Sequence, residues 1–309
     1  MEQSDSLLDF GQGHWFEHLD ASRLFMWDEA DLPRLAQLLE LRPGLQVADF
    51  GCGWAYLGHL LLAMISPGGR VDGFELQEQL IERGRKRIAE AGHSGRIVLH
   101  QADITDLSEV QDDRFDLAIC QTVLMHLSRP ELALAEMKRV VKPGGLVAAI
   151  EPNLLAAHAS SYDSCSGDDF EQLRRRLLFE TYVVEGCQRS GAGDYRIASK
   201  LPGLMSAQGL TGPRLWMNPK VYQCTPPYDA DAKRYRDFLA DAHRPEAVAA
   251  EEANWKTMFD AGGGPQDLWD AYQQREQQLR SERRRQLSDG SYTMAGSNML
   301  GLCTARVSN

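Results

Sequence analysis

Five acidic or amide residues in the first half of the chain sit where short apolar runs end, and together they could hold a small polar ligand. Val47-Ala48-Asp49-Phe50 runs into Gly51-Cys52-Gly53-Trp54-Ala55, an acid followed by a glycine-rich turn. Glu75 ends the next apolar run, Asp103 follows the third, Gln121 the fourth and Glu151 the fifth. Glycine lets backbone approach a ligand closely, and the helix that starts after such a turn presents unpaired N–H groups. An acid at the end of the second run can accept both hydroxyls of a ribose. A dinucleotide fingerprint would need glycine at position 56, where this chain has Tyr56, a bulky side chain where close packing and a pyrophosphate are required. Asp49 would sit badly beside phosphate and well beside an ammonium group. The turn therefore fits a ligand carrying a cationic amino acid.

The elements that must position these residues follow a regular rhythm. Apolar, strand-like runs at 47–50, 71–76, 96–100, 115–120 and 146–150 alternate with helix-like stretches at 57–64, 77–91 and 130–141. That alternation predicts a parallel α/β sheet with helices on both faces. In such a sheet ligands bind beyond the carboxyl ends of the strands, which is where the polar residues fall. A further helix is expected at 32–41, with Leu32, Leu35, Leu38 and Leu39 on one face.

Beyond 153 the alternation stops. Helices are expected at 168–182 and 197–208, a polar loop at 188–195, and a strand over 215–224 interrupted at Asn218-Pro219. The stretch 229–287 reads as helical with one break at 262–265, and 299–307 as a final strand. The late helices read as additions on the ligand side of the sheet. Three units result: an N-terminal helical lid segment over 1–44, a core over 45–152, and a remainder over 153–309 with helical caps and the final strand.

A net charge of −11 argues against nucleic acid as the default partner, because such binding leaves a basic footprint. Six cysteines without a C-x-x-C pair read as reduced thiols of a cytoplasmic protein, with no metal site, and Cys52 and Cys120 are expected to be buried at strand ends. No signal peptide and no membrane span is expected from the apolar runs. The basic run at 280–285 reads as a solvated helix face, Thr225-Pro226-Pro227-Tyr228 as a rigid turn, and Asp28-Glu29-Ala30-Asp31 as an acidic helix start.

In its motifs the chain resembles the class I S-adenosylmethionine-dependent methyltransferases. Asp49-Phe50-Gly51-Cys52-Gly53-Trp54-Ala55 looks like their first motif, with Ala55 at the third glycine. Glu75, Gln101-Ala102-Asp103-Ile104, Phe115-Asp116-Leu117-Ala118-Ile119-Cys120 and Val140-Val141-Lys142-Pro143-Gly144-Gly145-Leu146 follow in register. The chain is similar to the small-molecule branch that contains the quinone-biosynthesis C-methyltransferases. The resemblance covers 45–152, and 299–307 also fits. It implies a Rossmann-like, seven-stranded, mostly parallel sheet, with 45–152 as the cofactor-binding core. It also implies S-adenosylmethionine as cofactor, left as S-adenosylhomocysteine. Gly51 and Gly53 would pack on the methionine part, and Asp49 would hold its ammonium indirectly. Glu75 would bind the ribose, with Leu76 on the adenine. Asp103 and Ile104 would flank the adenine, and Gln121 would offer its backbone carbonyl to the ammonium.

For the acceptor, His126 is the candidate general base, being just past the fourth strand. Glu151 and Asn153 could orient a polar acceptor. Trp27, Tyr222 and Tyr228 are candidate aromatic walls for a cationic centre, with Trp27 expected over the active site and Trp15 and Tyr56 as further aromatics. The reading is transfer of a methyl group to nitrogen, sulfur or oxygen of a small-molecule metabolite enclosed under a helical lid, with a homodimer as one option. The alternatives are a methyltransferase acting on RNA or protein, or a non-catalytic subunit that binds the cofactor.

Overall fold

The computed structural model describes residues 26–166, 169–230, 232–234, 236–237 and 245–308. Trp15 and most of the 1–44 segment lie outside the described residues. Five parallel strands follow the expected rhythm: β1 (Gln46–Phe50), β2 (Arg70–Glu75), β3 (Ile97–Gln101), β4 (Phe115–Gln121) and β5 (Val141–Pro152). With β7 (Thr211–Met217) and β10 (Leu300–Arg306) they make one seven-stranded sheet, ordered β3-β2-β1-β4-β5-β10-β7. Only β10 runs against its neighbours, pairing antiparallel with β5 and β7. Strand order reverses between β1 and β4, so the switch point falls where Asp49 and Gln121 end their strands.

Both faces of the sheet are covered, which is why the strands are apolar almost throughout. On one face Val47, Val71, Leu117 and Ile119 pack against α1 (Leu32–Leu38), α2 (Tyr56–Met64) and α3 (Glu78–Glu90). On the other, Ala48, Phe50, Phe74 and Phe115 meet α4 (Pro130–Val140) and α7 (Leu201–Ala207). Each fully buried leucine or phenylalanine contributes about 1.5–3 kcal/mol. These two layers therefore anchor the rim that carries the polar residues.

Three expectations change. The fifth strand is longer than 146–150, because Lys142-Pro143-Gly144-Gly145 is absorbed as a register shift against β4, and Gly144 and Gly145 bond to Val307. The helix expected at 168–182 is α6 (Phe170–Arg189), since Val183, Val184 and Cys187 extend its buried face. The strand expected over 215–224 divides at Asn218-Pro219 between β7 in the main sheet and β8 (Tyr222–Cys224) elsewhere. β8 pairs with β9 (Met294–Gly296), which also pairs with β6 (Tyr162–Asp163), forming a three-stranded sheet.

Beyond β5 lies α5 (Leu154–Ser160), and α6, α8 (Pro245–Ala261) and α9 (Gln266–Asp289) share a core of their own around Phe179, Phe259 and Trp269. The break expected at 262–265 separates α8 from α9. Helices α6 and α8 cross tightly at Gly186, where a Cβ would come within 1.7 Å of the Met258 carbonyl. The basic run is largely paired: Arg280 to Glu252, Arg283 to Asp163, and Arg285 to Glu282 and Asp289. All six cysteines are free, with Cys52 and Cys120 buried. Among the described residues, no helix is long and apolar enough to cross a membrane, and no group of three or more metal-ligating side chains occurs.

Candidate active site

The turn after β1 is built from alternating left-handed residues: Gly51 at φ +65°, Gly53 at +54° and Ala55 at +71°. Gly51 and Cys52 donate their amides to the Phe74 carbonyl at 2.8 and 3.1 Å, which ties the turn to β2. A Cβ on Gly51 would meet Val123 at 2.7 Å, whereas a Cβ on Gly53 would meet nothing within 4 Å. Gly51 is thus a packing glycine, and Gly53 faces open space at the rim. Ala55 adopts the third glycine's backbone with its methyl group fully buried, at a cost of about 1–2 kcal/mol for a left-handed alanine.

Glu75, at the end of β2, closes onto this turn. Its Oε2 accepts the Gly53 amide at 3.0 Å and its Oε1 the Gln77 amide at 3.0 Å. Burial pushes its carboxyl above the ordinary range, opposed by those amides. Leu76, next along the rim, is 51% exposed, unusual for a leucine beside a core strand. Asp103 is exposed, with Oδ1 accepting from the Thr105 amide at 2.8 Å and hydroxyl at 2.7 Å, while Ile104 is buried beneath. Asp49 is buried in β1 between the two cysteines. Burial chiefly lifts both thiols well above their usual range, with help from the Asp49 charge. Glycine turn, Glu75, Leu76 and Asp103 therefore line one stretch of rim across β1, β2 and β3.

Across the switch point the residues behave differently. The Gln121 carbonyl accepts the Thr122 hydroxyl at 2.7 Å, which leaves its second lone pair. The Gln121 side chain is buried and holds Trp27, whose Nε1 donates to Oε1 at 2.9 Å. Trp27 thus stands at the carboxyl end of β4. His126 ends a short 3-10 turn, Leu124–His126, and its Nδ1 lies 3.3 Å from the Tyr195 hydroxyl with the rings edge to face.

The acceptor-side expectations for Glu151 and Asn153 meet other partners. Glu151 is fully buried, its Oε1 accepting the amides of Val123 at 3.0 Å and Leu124 at 2.9 Å, and Oε2 that of Met125 at 3.2 Å. Burial pushes its carboxyl up to about 7 against these three donors. It staples the turn after β4 and exposes no surface to an acceptor. Asn153 caps α5 through Ala156 at 3.2 Å and donates to Ser199 at 3.0 Å. Tyr228 is also withdrawn: buried in the core of the small sheet, it donates its hydroxyl to the Tyr292 carbonyl at 2.9 Å. Tyr222 lies in β8 of the same sheet, half-buried.

Residues that sequence reading missed are Tyr195, Met26, Asn218 and Lys220. Asn218 Nδ2 donates to the Met26 carbonyl at 2.7 Å and Lys220 pairs with Asp28. Contacts across such separations leave no periodic or spacing signal to read.

Known proteins resemble this chain in part of its sequence and in its fold. Residues 41–183 match the family described as a methyltransferase domain. A Streptomyces fradiae protein of transposon Tn4556, uncharacterised by name, is 36% identical over 154 residues, covering 50% of this chain and 41% of its own length. A demethylmenaquinone methyltransferase of Desulfitobacterium hafniense is 30% identical over 127 residues, 41% of this chain and 50% of that protein. The chain thus spans about half the length of the relatives it matches. In structure, a Bacillus halodurans protein assigned as a methyltransferase superposes with a TM-score of 0.52 at 16% identity, over 91% of this chain and 100% of that one. The 4+2 cyclase SpnF reaches 0.50 at 17%, over 97% and 85%. These likenesses show the fold. Residues 41–183 thus match a methyltransferase domain, and over that stretch the chain is similar in sequence to methyltransferases of quinone biosynthesis.

Proposed function

We propose that this protein transfers the methyl group of S-adenosylmethionine to a nitrogen, sulfur or oxygen atom of a small-molecule metabolite. The observation that carries the cofactor assignment is the rim itself. An open glycine with left-handed backbone, a carboxylate at the end of β2 and an exposed leucine stand side by side. An open Gly53 leaves room for a methionine chain, Glu75 has acceptor lone pairs for ribose hydroxyls beyond those its amides use, and Leu76 offers an apolar face for adenine. Tyr56 beginning α2 supports this cofactor over a dinucleotide.

Bound there, S-adenosylmethionine supplies an electrophilic methyl group on a good leaving group, so the chain's task is alignment and exclusion of water. Asp49 and the Gln121 carbonyl would favour the ammonium group through charge and a free lone pair. Asp103 and Ile104 would hold the adenine. His126, oriented by Tyr195, would take a proton from the acceptor where the acceptor carries one. Trp27 and Tyr222 would wall the acceptor. We read α6, α8, α9 and the small sheet, with residues 26–44, as the cap that encloses it. The unpaired cysteines support a reducing, cytoplasmic location. The acidic net charge supports a small acceptor over RNA.

SpnF favours keeping one second reading in view, since its name records a cyclisation on the same fold. The two separate cleanly. Metabolite extracts incubated with the protein and methyl-labelled S-adenosylmethionine should yield labelled small molecules by mass spectrometry. Label appearing only in RNA or protein would exclude a metabolite acceptor, and tight cofactor binding with no transfer at all would favour the second reading.

A further inference from the structure

We infer that residues Met26 to Asp28 form a clasp that holds the cap against the sheet, and that opening this clasp sets the rate at which products leave. The inference rests on the methyltransferase reading above. Met26 and Trp27 are held at one end by Gln121, whose Oε1 accepts the Trp27 Nε1–H and whose Nε2 contacts the Met26 sulfur at 2.9 Å. At the other end Asn218 donates to the Met26 carbonyl and Lys220 pairs with Asp28. Gln121 ends β4, and Asn218 follows β7. Three strand spacings separate those strands in the sheet, about 14 Å. The segment therefore straps across the ends of β5 and β10, away from the glycine turn.

What it grips at the far end is the joint between the two sheets. Residues 218–221 carry the chain from β7 to β8, and 297–299 carry it from β9 back to β10. Met26 lines a narrow crevice together with Asn218, Lys220, Ser297, Asn298 and Leu300, so it faces both linkers and bonds to the first through Asn218. Asn218 is itself pinned to the main sheet, its amide donating to Leu300 at 2.8 Å. Lys220 is only 13% exposed and its partner Asp28 45%, so the ion pair stands at the boundary between buried and surface pairs. A strap that joins the ligand end of β4 to both linkers of the small sheet is placed to couple site occupancy to cap position. No sequence signal marks it, since the partners lie 94 and 192 residues apart.

The test uses the full-length protein and S-adenosylhomocysteine as the probe. Asp28→Asn and Lys220→Met should each speed amide hydrogen exchange at Trp27, Asn218 and Leu300 by about three- to tenfold, with the core strands unchanged. Dissociation of S-adenosylhomocysteine, followed by stopped-flow tryptophan fluorescence, should quicken by a similar factor. The charge swap Asp28→Lys with Lys220→Asp should restore both rates, which a general loss of stability would not do. Unchanged exchange in the single variants, or no rescue by the swap, would overturn the clasp. Faster exchange with unaltered dissociation would overturn its gating role. If the unaltered chain bound no S-adenosylhomocysteine, the methyltransferase reading itself would fall, and the exchange data, which need no ligand, would still judge the clasp.

Discussion

Glu75 and Glu151 occupy matching places in the sheet, and they end up in different surroundings. Each ends a strand, and each reaches sideways to accept backbone amides from the turn after the neighbouring strand. Glu75 takes Gly53 beyond β1, and Glu151 takes Val123, Leu124 and Met125 beyond β4. Glu75, buried but still 8% exposed, is held by the Gly53 and Gln77 amides beside an open glycine and an exposed leucine. Glu151 takes three amides and is sealed at 0% exposure. A carboxylate at a strand end can thus serve a ligand only where its turn leaves it room. Where the turn folds back over it, the same residue becomes a staple.

Removing the staple should have the largest effect. Glu151→Ala leaves three buried amides without an acceptor and is expected to cost about 3–5 kcal/mol in urea unfolding. Cofactor affinity of the remaining folded protein should hardly change. Glu75→Ala should show the reverse: about a hundredfold weaker S-adenosylmethionine binding by calorimetry, for about 1–2 kcal/mol of stability. If the two substitutions gave the same pattern, the contrast between site and staple would be wrong.

The contrast also has a pH signature. The Glu151 carboxyl is raised from 4.5 to about 7 in the folded chain, so between those values the folded state holds a proton that the unfolded state has released. Stability from this group is therefore full below pH 4.5 and declines as pH rises toward 7, by at most about 1.4 kcal/mol per pH unit. Asp72, lowered to about 2 by its own burial being outweighed by His100, Arg70 and Arg114, titrates below this window. Urea midpoints from pH 5 to 8 should slope downward in the unaltered chain and flatten in Glu151→Gln. Equal slopes would show that the carboxyl titrates elsewhere.

Within the glycine turn, two single-methyl changes should sharpen the same distinction. Gly53→Ala adds a methyl into the open space and should weaken cofactor binding about tenfold. Ala55→Gly relieves a left-handed alanine and should raise stability by about 0.5–1 kcal/mol, with binding unchanged. Thermal melts and calorimetry on both variants would check the assignment. Weaker binding in Ala55→Gly would mean that the buried methyl shapes the cofactor site.

Much of this fold is legible in the sequence. The strand rhythm, the glycine turn and the acids at the strand ends are local patterns, and local patterns survive in sequence because residues two or four apart share a face. The final strand at 299–307 and the break at 262–265 were readable for the same reason. The small sheet was not, because β6, β8 and β9 are two or three residues long and too short for a periodicity. Glu151 read as an acceptor-side acid because spacing alone cannot tell whether a turn folds back over a side chain. Tyr228 read as a wall for a cation, and only its neighbours Tyr292 and Met294 turn it inward.

By itself, then, the sequence determined the parallel core and the polar side chains placed at the ends of β1, β2 and β3. Periodic burial and turn chemistry act over a few residues, so they are written where they act. Tertiary structure alone decided which of two strand-end glutamates is sealed completely, which aromatics are turned into the small sheet, and that Met26 reaches a partner 192 residues away. Those outcomes depend on which surfaces meet after collapse, and burial of a polar group is set by its whole surroundings rather than by its neighbours in the chain.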